Sequence, residues 1–140
     1  MIRSIAIIAG AAALAGCWGA PPNEKILTDL CVGVFEGDAR TQRIIVEDSG
    51  ADLATFCGCY AARTVTDGAK IDQHKDILVT LLNAREAGDS DIEDAADRIE
   101  AQIESGEIDS FTTEEFDALG DEFQELTGLM SDAGGSCPTG

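Results

Sequence analysis

The chemistry in this chain is concentrated in its cysteines, and the densest group is Cys57-Gly58-Cys59 within Thr55 to Arg63. Two thiols one residue apart suggest three kinds of chemistry: metal ligation, dithiol exchange or crosslinking. Zinc sites favour two residues between paired cysteines, not one. Thioredoxin-type centres need the same two-residue spacing at a helix start in an α/β fold. Haem attachment needs a histidine directly after such a pair, and none follows here. Crosslinking is left, and it requires partners elsewhere in the chain.

The compartment decides whether crosslinks persist. The chain opens with one basic residue, Arg3, and continues with an apolar run from Ile5 to Leu14. Leu14-Ala15-Gly16-Cys17 follows directly. A charged start, a short apolar core and small residues before a cut form the layout of an export signal. The run is shorter than the roughly 20 residues that span a bilayer. LAGC resembles the lipobox of bacterial lipoproteins. That resemblance implies cleavage before Cys17, a diacylglyceryl group on its sulfur and acylation of the new amino terminus. Residues 1–16 are then the signal, residues 17–22 a lipidated tether and residues 23–140 one acidic helical domain. Several acyl chains hold a protein on a membrane firmly, because each buried methylene contributes about 0.8 kcal/mol. Trp18 is either an interfacial indole or a plain tether residue. Position 18 is not Asp, the residue that looks like an inner-membrane retention signal, so the expected address is the periplasmic face of the outer membrane. Pro21 and Pro22 stiffen the spacer.

Composition narrows the function classes. The chain has 140 residues and a formal net charge of −18. Cleavage before Cys17 leaves 124 residues, enough for one domain, and removes Arg3, which makes the charge −19. From Glu86 onward there are 17 carboxylates, with Arg98 the one basic residue. Such a surface repels phosphate and excludes nucleic acid as a partner. Anionic lipid head groups repel it too, so membrane contact falls to the acyl chains. The acidity itself has two readings. It is a solvated surface, or it attracts a basic protein or divalent cations. The first is the expected one.

The elements that must carry the cysteines are helical. Ile26, Leu27, Leu30, Cys31 and Val34 recur at helical spacing over 23–35, with Asn23 as the expected cap. Residues 40–48 fit either a helical turn or a short extended piece. Leu53, Phe56, Cys57, Tyr60 and Ala61 mark a helix over about 50–66. Ile77, Leu78, Leu81 and Leu82 mark another over 72–85. Ser90-x-x-Glu93 and Thr112-x-x-Glu115 have the form of capping boxes that start two more. Behind them run the stripes Ile92, Ala96, Ile99, Ile103 and Phe116, Leu119, Phe123, Leu126, Met130, both read as core faces. The expected fold is all-α: about five short helices in antiparallel hairpins. Aromatic content is low, so covalent staples would help a modest core.

With Cys17 assigned to lipid, Cys31, Cys57, Cys59 and Cys137 remain. An even number in an exported domain points to disulfides, with three pairings open. Helical residues two apart point about 200° apart, which disfavours Cys57 bonding Cys59. Cys57 shares the apolar face with Leu53, Phe56 and Tyr60, and Cys31 lies on the apolar face of the first helix. Cys59 lies with Asp52, Thr55, Ala62 and Arg63 on the outer side. The expected pairs are Cys31–Cys57 through the core and Cys59–Cys137 holding the tail.

Other chemistry is sparse. The one histidine, His74, is expected to be exposed, turned away from Asp72 and Asp76, which share a side of their helix. One histidine gives no nucleophilic triad. Gly106 to Asp109 is similar to the middle of an EF-hand loop, but that register puts Ala101, Ile103 and Thr112 where acids belong. The expectation is a non-catalytic, lipid-anchored envelope protein with a structural or interaction role, without cofactor or dedicated metal. The alternatives are an acidic immunity- or inhibitor-type binder of a basic envelope protein and, less favoured, a divalent-cation binder.

Overall fold

The computed structural model describes residues 21–88 and 91–139. The expected signal at 1–16, Cys17, Trp18 and Ser90 lie outside the described residues. Six helices follow in order: α1 (Pro22–Phe35), α2 (Ala39–Ser49), α3 (Leu53–Thr64), α4 (Gly68–Gly88), α5 (Ile92–Glu104) and α6 (Thr113–Asp132). There is no strand among the described residues. The fold is the all-helical, disulfide-stapled bundle that the periodicity predicts, with one helix more than the five expected.

The additional helix is α2, the stretch that periodicity left open. Local chemistry starts and stops it. The Asp38 carboxylate accepts from the Thr41 amide at 3.1 Å, and Gly50 closes the helix at φ 73°. Glycine adopts that left-handed conformation without steric cost. Only Ile45 and Ser49 of α2 are buried, so its apolar stripe is too thin to read.

Helix starts differ from expectation in three places. Pro21, not Asn23, precedes α1, because the fixed φ of proline at a first turn already suits a helix. Asn23 instead accepts from Lys75 Nζ on α4 at 2.7 Å. The cap of α3 is Asp52, so that helix begins at Leu53 rather than near Gly50. Asp91 caps α5, its carboxylate accepting from the Asp94 amide at 2.9 Å. The Thr112–Glu115 box forms reciprocally as expected, with bonds of 3.2 and 2.8 Å.

The core sits around α3, which buries residues on nearly every side: Leu53, Phe56, Cys57, Cys59, Tyr60, Ala61 and Thr64. α1 packs on α3 and α4, α2 on α6, and α5 on α4. Of these, only α4 and α5 are chain neighbours, so the packing is less local than a run of hairpins. Phe123 of α6 draws the layers together. Its ring lies 5.2 Å from Phe35 edge-on, 4.8 Å from Tyr60 and 6.0 Å from Phe56, centroid to centroid. Such aromatic pairs add about 0.5–1.5 kcal/mol beyond area burial. Arg85 of α4 closes the end of α1. Its Nη1 donates to the Val34 carbonyl and, at 2.9 Å, to that of Glu36, carbonyls that a helix end leaves unpaired.

Candidate functional site

The cysteine pair of α3 forms a hub. Cys57 is bonded to Cys31 of α1, Cα to Cα 5.6 Å, and Cys59 to Cys137 of the tail, 5.4 Å. The helical phase explains the division, since the two side chains leave α3 in opposite directions. The environment of Cys59 differs from the expected outer side. Asp52 and Thr55 are exposed, but Cys59 is only 3% exposed. The tail returns to Cys59 after α6 through the Cys137 bond, while Asp52 and Thr55 on the same side stay open. Cys137 itself remains exposed.

The return of the tail rests on two glycines. Gly135 has φ 87°, and a Cβ built on it would lie 2.9 Å from the carbonyl carbon of Gly50. The Gly135 amide also donates to the Met130 carbonyl at 2.8 Å. A side chain on Gly135 would collide with the end of α2, whereas one on Gly50 would meet Gly135 at an ordinary 3.6 Å, and it is the φ of 73° that favours glycine there.

Beside the hub lies the second polar group, and here the expectation for His74 is corrected. His74 is 3% exposed, not a surface residue. The phase that turns it away from Asp72 and Asp76, both exposed, turns it into the core. His74, Ile77, Leu78 and Leu81 are all buried on α4, at spacings of three, four and seven. That spacing is visible in the sequence and is the signal that locates the histidine.

The imidazole stacks on Tyr60 with an interplanar angle of 4°, and Nδ1 lies 2.7 Å from the Tyr60 hydroxyl. Burial pushes the His74 pKa below its ordinary value. Lys70 lowers it further, while Glu122 and Asp67 pull the other way. Burial pushes the tyrosine up, with Glu122 adding to the effect and a Thr64 hydrogen bond opposing it. Near neutral pH both rings are uncharged. Tyr60 then donates its proton to Nδ1, and Nε2 carries the hydrogen that faces Glu122 Oε2, 3.7 Å away. Glu122 is held by Lys70 Nζ at 2.5 Å. Glu122 and Lys70 were not singled out by spacing, because they lie 52 residues apart and α6 meets α4 only in the folded state.

An open cavity of about 450 Å³ lies over this pair, bordered by Tyr60, Arg63, Asp67, Lys70, Glu125 and Pro138. The arrangement ties three helices together. A general base needs a nitrogen free for its substrate. Here Nδ1 is occupied and the tyrosine is held protonated.

Among the described residues no group of three or more His, Cys, Asp or Glu side chains is placed to hold a metal ion. No described helix is long and apolar enough to cross a membrane. Comparison of the chain with protein families, curated proteins and solved structures returned no match.

Proposed function

We propose that this chain is a lipid-anchored, non-catalytic interaction module of the bacterial envelope, held at Cys17 on the periplasmic face of the outer membrane. The observation that carries the reading is the junction between motif and domain. The LAGC cysteine is followed five residues later by the first residue of α1. Five residues reach at most about 17 Å, so an anchor at Cys17 holds the helical domain directly above the lipid. The acidic surface opposes adsorption onto anionic head groups, which leaves the domain close to the membrane with its faces free. Two disulfides suit an oxidising compartment. The absence of catalysis is supported by the use of the single histidine as a core hydrogen-bond partner of Tyr60.

The test is the intact mass of protein extracted from membranes, before and after reduction. The reading expects a chain that begins at Cys17 with acyl chains attached. It also expects a gain of about four hydrogens when two disulfides are reduced. An unacylated chain that begins elsewhere removes the anchor. The non-catalytic half is tested separately by a turnover screen on envelope substrates: an activity abolished by His74→Gln in a folded protein overturns it.

A further inference from the structure

From a groove on the side formed by α5 and α6, we infer that this protein binds a basic amphipathic helix of a partner protein. The groove has a volume of about 470 Å³. Its floor is apolar, with Phe35, Ile92, Ala96, Phe116, Leu119 and Phe123 lining it. Its charged lining is acidic: Glu100 from α5, and Asp117 and Asp121 from α6, four residues apart and therefore on one side of that helix, with Gln124 the one neutral polar side chain. No lysine, arginine or histidine lines it.

Charge selects the occupant. A solvated acidic surface needs no apolar floor beneath it, whereas a helix-binding groove combines apolar pockets with a charged rim. A lipid carrying a phosphate would be repelled by the three carboxylates. A second copy of this chain would bring the same acids to face them. A helix with apolar residues at i, i+3, i+4 and i+7 and lysines or arginines on its flanks satisfies both floor and rim. The 17 carboxylates from Glu86 onward extend the attraction beyond the contact and speed encounter. The inference deepens the interaction half of the proposed function and does not depend on the anchor.

The test is a binding titration of the full chain with a designed Leu/Lys amphipathic peptide of about 18 residues. An acylated chain is carried in phosphatidylcholine nanodiscs, with empty discs as reference, and an unacylated chain is used in buffer. Two further peptides serve as controls: the same composition in scrambled order, and a Leu/Glu version. The expected result is saturable binding of the first peptide that weakens with salt, with both controls at least about tenfold weaker. Gly120→Leu fills the groove from an exposed position where an added side chain meets open space. It is expected to weaken binding about tenfold or more with the protein charge unchanged. Asp117→Asn with Asp121→Asn, both at exposed positions, is expected to do the same and to flatten the salt dependence. The pair of substitutions decides the matter if the glycine variant fails to fold. Equal binding of the scrambled peptide, or indifference to both variants, overturns the groove as the site. Dimerisation of the free chain that is lost in Gly120→Leu assigns the groove to a second copy and overturns the basic partner.

Discussion

The Tyr60 hydroxyl and His74 Nδ1 lie 2.7 Å apart inside the bundle, joining α3 to α4 by a buried hydrogen bond between neutral groups. Removal of one partner is costlier than the bond itself, because it leaves the other buried and unsatisfied. Tyr60→Phe is expected to destabilise the fold by about 1–3 kcal/mol in urea unfolding with little change of helicity.

The same pair makes stability depend on pH. The folded His74 pKa lies below the ordinary value of 6.5, so the unfolded chain takes up a proton first as pH falls. The stabilisation is complete above about pH 6.5 and declines below it, towards the folded pKa. The urea midpoint should therefore drop between about pH 7.5 and 5, and His74→Gln should flatten that drop.

Asp38 is a second buried polar joint. It caps α2 through Thr41 and accepts from the Ile92 amide of α5 at 3.1 Å, which fastens α2 to the start of α5. Burial alone would raise its pKa. The hydrogen bonds from Thr41 and Ile92, with attraction to Arg85, outweigh that and hold it below 3.8. Its contribution is present above about pH 4 and is lost as the pH falls through the folded value. Asp38→Ala removes a cap and leaves the Ile92 amide without its acceptor, with an expected cost of about 2–4 kcal/mol at neutral pH. Asp38→Asn, which retains one acceptor oxygen, should cost less.

The two disulfides differ in access. Cys31 and Cys57 are fully buried, whereas Cys137 is exposed. Exchange requires a thiolate to reach a sulfur, so mild reduction of the folded protein should open Cys59–Cys137 first. Alkylation and peptide mapping are expected to label Cys59 and Cys137 before Cys31 and Cys57. The Cys59–Cys137 bond closes the longer loop, with a separation of 78 against 26. On chain entropy, its loss costs about 3–5 kcal/mol.

The tail's return predicts a ranking of glycine substitutions. Gly135→Ala combines a positive φ with an encounter with the Gly50 backbone and should cost about 1.5–3 kcal/mol. Gly134→Ala has φ 67° but meets no neighbour, so it should cost about 1 kcal/mol. Thermal unfolding of the two variants checks the order.

What the sequence by itself determined about this protein is local. A helix carries its phase in its own residues, so the faces of α1, α3 and α6 are legible, as are the inward turn of Cys57 and the Thr112–Glu115 cap. The opposite directions of Cys57 and Cys59 follow from the same geometry. Tertiary structure decided what each face meets. Cys59 is buried where the tail returns to bond it through Cys137, which no spacing around Cys59 records. The His74 pKa is lowered because the assembled core desolvates the ring, although its position relative to Ile77, Leu78 and Leu81 was already written in α4. α2 is helical through Asp38 and Gly50 with scant help from periodicity. The acid-rimmed groove exists only where α5 and α6 come together against Phe35. Phase is set by the 3.6-residue repeat of one helix, whereas partners are set by chain reversals and contacts between residues far apart in sequence.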